Sequence, residues 1–273
     1  MKSTLNLARE LAVATTLARR AGRKVRTLWR QDIDVRDKGG GDPVTAADLA
    51  AQEIIVGGLR EAFPDDAVLS EEAPGDLPPR GRCWVVDPLD GTRDFMDGIE
   101  DFVVMVGLCV DGRPVLGAVH HPPTDALYRG GAGMNLERLD GDADAGVTLA
   151  MRAPAGLESL RLVVSRSHYD PWFDEVRGQL GLGEPRRHGS VGLKVTLLAA
   201  GVHDLYLHRH GLKVWDACAP QALLEAAGGR MGTLDGGELD YGGGDVRLTR
   251  GLLATHASVF EAVVERLGSL VAT

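Results

Sequence analysis

The sequence predicts an α+β first half with an antiparallel meander, followed by an α/β second half. Apolar residues recur at helical spacing near the start: Leu7, Leu11, Ala14, Leu17, Ala18, Ala21, Val25 and Leu28. Two apolar runs, Phe102 to Val110 and Pro114 to His121, are joined by Asp111-Gly112, a strong hairpin signal. Beyond residue 160, short β-prone runs alternate with helical patterns, as in α/β proteins.

Taken in order, residues 3 to 30 read as an amphipathic helix with an arginine-rich outer face, followed by a short strand at Ile33 to Val35. Lys38-Gly39-Gly40-Gly41-Asp42-Pro43 reads as loop. A second helix starts near Thr45 and runs to about Ala62, because Thr45 followed by Asp48 matches a capping box. Ala67 to Ser70 is a short strand that delivers Glu71-Glu72, and residues 73 to 81 are Pro/Gly-rich loop. Ala126 to Arg129 adds a third antiparallel strand. The Gly- and Asp-rich segment from Gly130 to Gly146 reads as the weakest-packed part of the chain and a junction between domains 1–145 and 146–273. Later strands are expected at Leu160 to Ser165, His203 to Leu207, Val246 to Thr249 and Leu252 to Thr255. Helices are expected at Pro171 to Leu180, capped by Asp170, and at Ser190 to Ala200. Two more are expected at Asp216 to Ala227, stopped by Gly228-Gly229, and at Ala257 to Leu267.

One stretch stands apart: Cys83-Trp-Val-Val-Asp87-Pro-Leu-Asp90-Gly-Thr-Arg-Asp-Phe95. A buried strand ending on Asp87 accounts for its first part, since Pro88 cannot donate to a ladder. Gly91 then permits a backbone conformation closed to other residues. Two carboxylates are thus projected from a rigid end. Mg²⁺ binds through one or two carboxylates plus substrate phosphates, so the stretch suits a Mg²⁺ site. A capped turn with solvated acids fits the same residues. Glu71 and Asp216 also fall at expected element ends. If folding gathers all four acids, their repulsion calls for bound cations, and two ions about 3.5–4 Å apart suit phosphate ester hydrolysis. Plainer readings exist: Asp216 as an N-cap, Ser165 to His168 as a strand exit, and His208, Arg209 and His210 as a solvated turn.

The 273 residues carry a net charge of −9, which disfavours nucleic-acid or anionic-membrane partners. No apolar run approaches the roughly 20 residues of a membrane span, and Arg9, Glu10, Arg19 and Arg20 interrupt any signal-peptide-like core. Cys83, Cys109 and Cys218 are sparse, odd in number and without metal spacing. They read as reduced thiols of a cytoplasmic protein, and Cys218 lacks a histidine partner that would make it a nucleophile.

Four motifs in order resemble the inositol-monophosphatase-like superfamily of Mg²⁺-dependent, lithium-sensitive phosphatases. They are Asp42-Pro-Val-Thr-Ala-Ala-Asp48, Ser70-Glu-Glu72, Asp87-Pro-Leu-Asp-Gly-Thr92, and Trp215-Asp216 with Glu225-Ala-Ala-Gly-Gly229. The resemblance implies a layered α-β-α-β-α sandwich, the sugar phosphatase fold, acting as a monomer or homodimer on a phosphorylated small molecule. It implies that Glu71, Asp87 and the Leu89 carbonyl hold one Mg²⁺, that Asp87, Asp90 and Asp216 hold a second, and that a third, weaker ion fits near Glu71. Asp48 and Thr92 would orient and deprotonate a metal-activated water, with Glu71 beside them, and the Gly91 and Thr92 amides would meet the phosphate. Asp87-Pro-Leu-Asp-Gly-Thr-Arg-Asp-Phe95, Ser165-Arg-Ser-His168 and Gly189-Ser-Val-Gly-Leu-Lys194 are similar to segments of the 3′(2′),5′-bisphosphate nucleotidases of sulfate assimilation. There, Ser167, His168, Ser190 and Lys194 would hold the second phosphate and ribose, and Arg93 would also bind substrate. Asp94 departs from the Glu usual at its place, and residues 131 to 146 lack the usual hairpin pattern. An inositol or sugar-phosphate (fructose 1,6-bisphosphate) phosphatase is the alternative within the same chemistry. A haloacid-dehalogenase reading fails because the acids are three apart, not two. A catalytically silent phosphate sensor finds no support in the motifs, which are intact.

Overall fold

The computed structural model describes residues 7–271, apart from 33, 38–42, 74, 76, 77, 79 and 243. The chain opens with helix α1 (Ala8–Leu28), which buries Ala14, Leu17, Ala18, Ala21 and Val25, the stripe that the spacing predicts. Residues 3–6 of the expected helix, Ile33 of the expected strand, and Lys38 to Asp42 of the expected loop lie outside the described residues. Strand β1 (Val35–Asp37) begins where the expected strand was to end, and it pairs antiparallel with β2 (Pro43–Thr45). Helix α2 (Ala46–Ala62) follows. Thr45 caps it, and the capping box with Asp48 is fully formed.

Seven strands then form one sheet in chain order: β3 (Ala67–Ser70), β4 (Arg82–Asp90), β5 (Val103–Val110), β6 (Arg113–His121), β7 (Ala126–Gly131), β8 (Leu136–Asp140) and β9 (Val147–Leu149). Helix α3 (Thr92–Met96) leaves β4. Only β3 and β4 are parallel; each later pair is antiparallel. At the β5–β6 turn, Asp111 and Gly112 have φ of 49° and 74°, as the primed turn suited to strand twist requires.

Two expectations are corrected here. Strand β4 does not stop at Pro88. The register with β5 shifts between Asp87 and Asp90, and Asp90 pairs again with Val103. This irregularity carries the proline through without asking it for a ladder hydrogen bond. The second concerns Gly130 to Gly146, which is largely exposed from Asp140 to Ala145 but ordered before that. It turns from β7 into β8, where Leu136 and Leu139 are buried, so a hairpin is present where its sequence pattern is missing. The boundary expected after residue 145 falls just ahead of β9, the last strand of this sheet.

The second half supplies β10 (Leu162–Ser165), α4 (Trp172–Leu180), β11 (Arg186–His188), α5 (Val191–Ala199), β12 (Leu205–His208), β13 (Leu212–Lys213), α6 (Val214–Ala226), β14 (Gly229–Gly232), β15 (Arg247–Leu248), β16 (Leu252–His256) and α7 (Phe260–Val271). Its five-stranded sheet has the order β11-β10-β12-β16-β14; β10 runs parallel to both its neighbours, and β16 antiparallel to both of its own. Strands β13 and β15 pair apart from it. Asp170 accepts from the Trp172 amide at the start of α4, as expected.

Three apolar clusters define five layers. Helices α1 and α2 cover one face of the large sheet through Leu17, Ile55, Trp84, Val104 and Leu116. Helices α5 and α6 lie between the two sheets, where Val85, Met105, Val195, Tyr206, Cys218 and Leu223 meet. Helices α4 and α7 cover the far face of the small sheet through Phe173, Val176, Leu207, Phe260 and Val263. The large sheet is therefore buried on both faces, which explains the unbroken apolar run of β4 and β5: alternate residues go to opposite layers, and neither layer is solvent.

Candidate metal centre and phosphate cleft

Parallel pairing brings the ends of β3 and β4 together. Ser70 stands opposite Val86, and the Glu71 amide donates to the Val86 carbonyl at 3.1 Å, so Glu71 emerges beside Asp87. Asp87 is buried and folds back to accept from the Leu89 amide at 3.0 Å. Gly91 has φ of 97°, and a Cβ there would fall 2.6 Å from the Asp101 carbonyl oxygen, so only glycine allows the turn from β4 into α3.

Asp216 arrives from the other side. It is the third residue of α6, not its cap as the plainer reading had it, and it reaches back to accept from the Lys213 amide at 2.7 Å. Two glycines let α6 come this close to the sheet. A Cβ at Gly107 would lie 2.8 Å from Cys218 Sγ, and one at Gly117 would lie 2.3 Å from the Ala219 carbonyl oxygen. One carboxylate oxygen each of Asp87, Asp90 and Asp216 thus lies within 4.8 Å of the others. The convergence on which the sequence reading depends is present for these three. Glu71 lines the same cleft, close enough for its charge to act on Asp87.

The electrostatics follow from this crowding. Burial, then the charges of Glu71, Asp90 and Asp216, raise Asp87 well above the ordinary carboxyl range. Burial and then Asp90 do the same to Asp216. Burial also raises Asp90, against hydrogen bonds from Ser190 and Gly192 and the charge of Lys194. An all-oxygen set with this much uncompensated negative charge fits a hard divalent cation.

Beside the carboxylates, Thr92 Oγ1 lies 3.1 Å from Asp48 Oδ1 and 3.0 Å from the Leu89 carbonyl oxygen. Its single proton can serve one acceptor at a time. Asp48 is fully buried, its other oxygen held by the amide and hydroxyl of Thr45 at 2.8 and 2.6 Å. The capping box of α2 therefore also fixes the carboxylate that faces Thr92.

A cleft of about 290 Å³ opens over these groups. Arg93, Ser167 and His168 line it and are exposed. Ser190 and Lys194 also line it, but they spend their polar groups inside the protein: the Ser190 hydroxyl donates to Asp90 Oδ2 at 2.6 Å, and the Lys194 ammonium donates to backbone carbonyls. The solvated-turn reading of His208, Arg209 and His210 fails for His208, which is buried, and holds for Arg209 and His210, which are exposed. His208 and His210 nevertheless face the cleft, their rings 6.0 and 5.9 Å from that of His168, and burial pulls His208 down to about 3.

Sequence reasoning missed one network. Arg166 bridges Asp94 and Asp101, and Asp101 also accepts from His188 Nδ1 at 3.1 Å and from the Gly189 amide at 2.9 Å. The Asp that departs from the usual Glu is thus an ion-pair partner joining the two halves. A buried acid calls for a basic partner, but nothing local singles out Arg166, 72 residues on.

Comparison with known proteins agrees with this architecture. The CysQ 3′(2′),5′-bisphosphate nucleotidase of Escherichia coli K12 is 36% identical over 82% of this chain and 91% of its own length. An inositol-1-monophosphatase of Mesorhizobium japonicum is 35% identical over 85% and 89%. Among solved structures, an inositol monophosphatase from Anabaena superposes with a TM-score of 0.78 at 28% identity, covering 97% of both chains. CysQ from Bacteroides thetaiotaomicron gives 0.75 at 27% identity, covering 92% of this chain and 99% of its own. Residues 6–267 match the family described as the inositol monophosphatase family, and the chain belongs to it.

Proposed function

We propose that the protein is a Mg²⁺-dependent phosphomonoesterase acting on a 3′(2′),5′-bisphosphate nucleotide, releasing AMP and phosphate from 3′-phosphoadenosine 5′-phosphate. The convergence of Asp87, Asp90 and Asp216 carries this reading. The nucleotide is supported by the 36% identity to a CysQ nucleotidase. Glu71, Asp87, the Leu89 carbonyl, Asp90 and Asp216 would hold two ions, with room for a third near Glu71. Bound there, Mg²⁺ supplies the charge that offsets the carboxylates and draws electron density from the phosphoryl oxygens.

The chain's own groups do the rest. Thr92 Oγ1 accepts a proton from the attacking water while its own proton passes to Asp48 Oδ1, which Thr45 holds in place. The Gly91 and Thr92 amides are assigned to the transferred phosphate. Arg93, Ser167 and His168 are assigned to the second phosphate and the ribose. Lithium inhibition goes with the same site, and three buried free cysteines fit a reducing, cytoplasmic setting.

An inositol or sugar phosphate is the second reading, favoured by the 35% identity to an inositol-1-monophosphatase. A phosphate-release panel separates them: 3′-phosphoadenosine 5′-phosphate, inositol 1-phosphate and fructose 1,6-bisphosphate, each with Mg²⁺ and with EDTA. The expected result is the highest kcat/KM on the nucleotide and none with EDTA. Preference for inositol 1-phosphate would move the substrate assignment; turnover of none of the three would leave a silent sensor.

A further inference from the structure

Residues 188–192 are pinned from every side. Lys194 is only 2% exposed, and its Nζ donates to the carbonyls of Gly189 at 2.8 Å, Ser190 at 2.7 Å and His188 at 3.4 Å. An ammonium has three donors, and three carbonyls take them. Asp101 holds the Gly189 amide. A Cβ at Gly189 would fall 1.6 Å from Asp94 Oδ2, and one at Gly192 would fall 2.2 Å from Met105 Sδ, so both positions need glycine. Between them Ser190 has φ of 45° and ψ of 124°, a backbone that L-residues avoid. A strain of this kind persists only where its surroundings enforce it.

The enforced turn faces Asp90. Its Oδ2 accepts from Ser190 Oγ at 2.6 Å and from the Gly192 amide at 2.7 Å. These donors fix the plane of the carboxylate, one of whose oxygens lies within 4.8 Å of those of Asp87 and Asp216.

We propose that Lys194 and Ser190 are positioning residues for Asp90: Lys194, by gathering three carbonyls, holds the Ser190 turn that aims the Asp90 carboxylate at the metal group. The proposal rests on the metal reading above. It takes both residues off the substrate, where the family resemblance had put them. Lys194 cannot also serve a phosphate while its donors are filled.

The test measures Mn²⁺ binding without substrate, by calorimetry, and KM for 3′-phosphoadenosine 5′-phosphate at saturating Mg²⁺, in Ser190→Gly and Lys194→Met. Ser190→Gly removes the hydroxyl and the backbone strain together, and glycine caps a helix nearly as well as serine. Its urea stability is therefore expected to hold while Mn²⁺ affinity falls by about tenfold or more, as for loss of an outer partner of a metal ligand. Lys194→Met is expected to weaken Mn²⁺ in the same way, with KM unchanged at saturating metal in both variants. Should Lys194→Met not fold, Ser190→Gly decides alone. Wild-type Mn²⁺ affinity in Ser190→Gly overturns the proposal, as does a raised KM with metal affinity intact, which would return these residues to the substrate. Wild-type protein that binds no Mn²⁺ fails the metal reading itself, a different result.

Discussion

The carboxylates of the site rest on two unlike supports. Asp87 and Asp90 leave a strand locked between neighbours and buried on both faces, so the chain that carries them also places them. Asp216 sits in the first turn of a helix and reaches the others only because that helix lies tight against the sheet over Gly107 and Gly117. The first pair depends on local sequence; the third member depends on packing between layers. Changing each support separately should therefore have different effects.

Removing the charge of Asp216 should give the largest effect. In Asp216→Asn the amide oxygen can still accept from the Lys213 amide, so the helix start survives. Loss of a direct ligand should lower phosphate release by more than the roughly 10–100-fold typical of losing an outer partner. The same substitution relieves repulsion with Asp90 and Asp87, so the EDTA-treated variant should melt no lower than wild type. A variant that keeps its Mg²⁺-dependent turnover would remove Asp216 from the site.

Shifting the helix instead of the charge should give a smaller effect of a different kind. Gly117→Ala puts a methyl 2.3 Å from the Ala219 carbonyl oxygen, and overpacking of this sort costs about 1–3 kcal/mol. Because Asp216 rides on the same helix, Mn²⁺ affinity should fall as well, although Gly117 touches no carboxylate. Gly178, on α4, has open space where its Cβ would go, so Gly178→Ala should leave metal binding alone. Equal metal binding in both variants would show that Asp216 does not depend on the seating of α6.

The same division marks what the sequence makes legible. The helix at Ala46–Ala62, strand β3 and the β5–β6 hairpin lie almost where spacing and turn residues place them, because each is specified within a few residues. The acidic motifs are legible for the same reason. Strands β8, β11 and β14 are not, since their register is set by sheets assembled from distant segments. Arg166 with Asp94 and Asp101, and the enclosure of Lys194, are hidden for a similar reason: a lysine that follows a Gly-Ser turn looks like a phosphate ligand until three carbonyls are seen around it.

The pH dependence of metal binding sharpens the comparison further. In metal-free protein, burial first and mutual repulsion second raise Asp87 and Asp216, and burial raises Asp90. A carboxyl whose folded value is raised favours the fold below its ordinary value and loses that advantage as pH rises through the folded value. At neutral pH these groups therefore oppose folding unless a cation offsets them, and on acidification their protons compete with it. The gain in Tm from added Mg²⁺, measured against EDTA, should be largest near about pH 8 and shrink toward about pH 5. Buried neutral histidines act in the opposite direction: burial lowers His120 and His203 to about 4, so the fold loses stability as pH falls below their ordinary value of 6.5. That loss is common to both samples and cancels in the difference. A Mg²⁺ increment that stays flat across this range would mean that the ion is held by groups other than these three carboxylates.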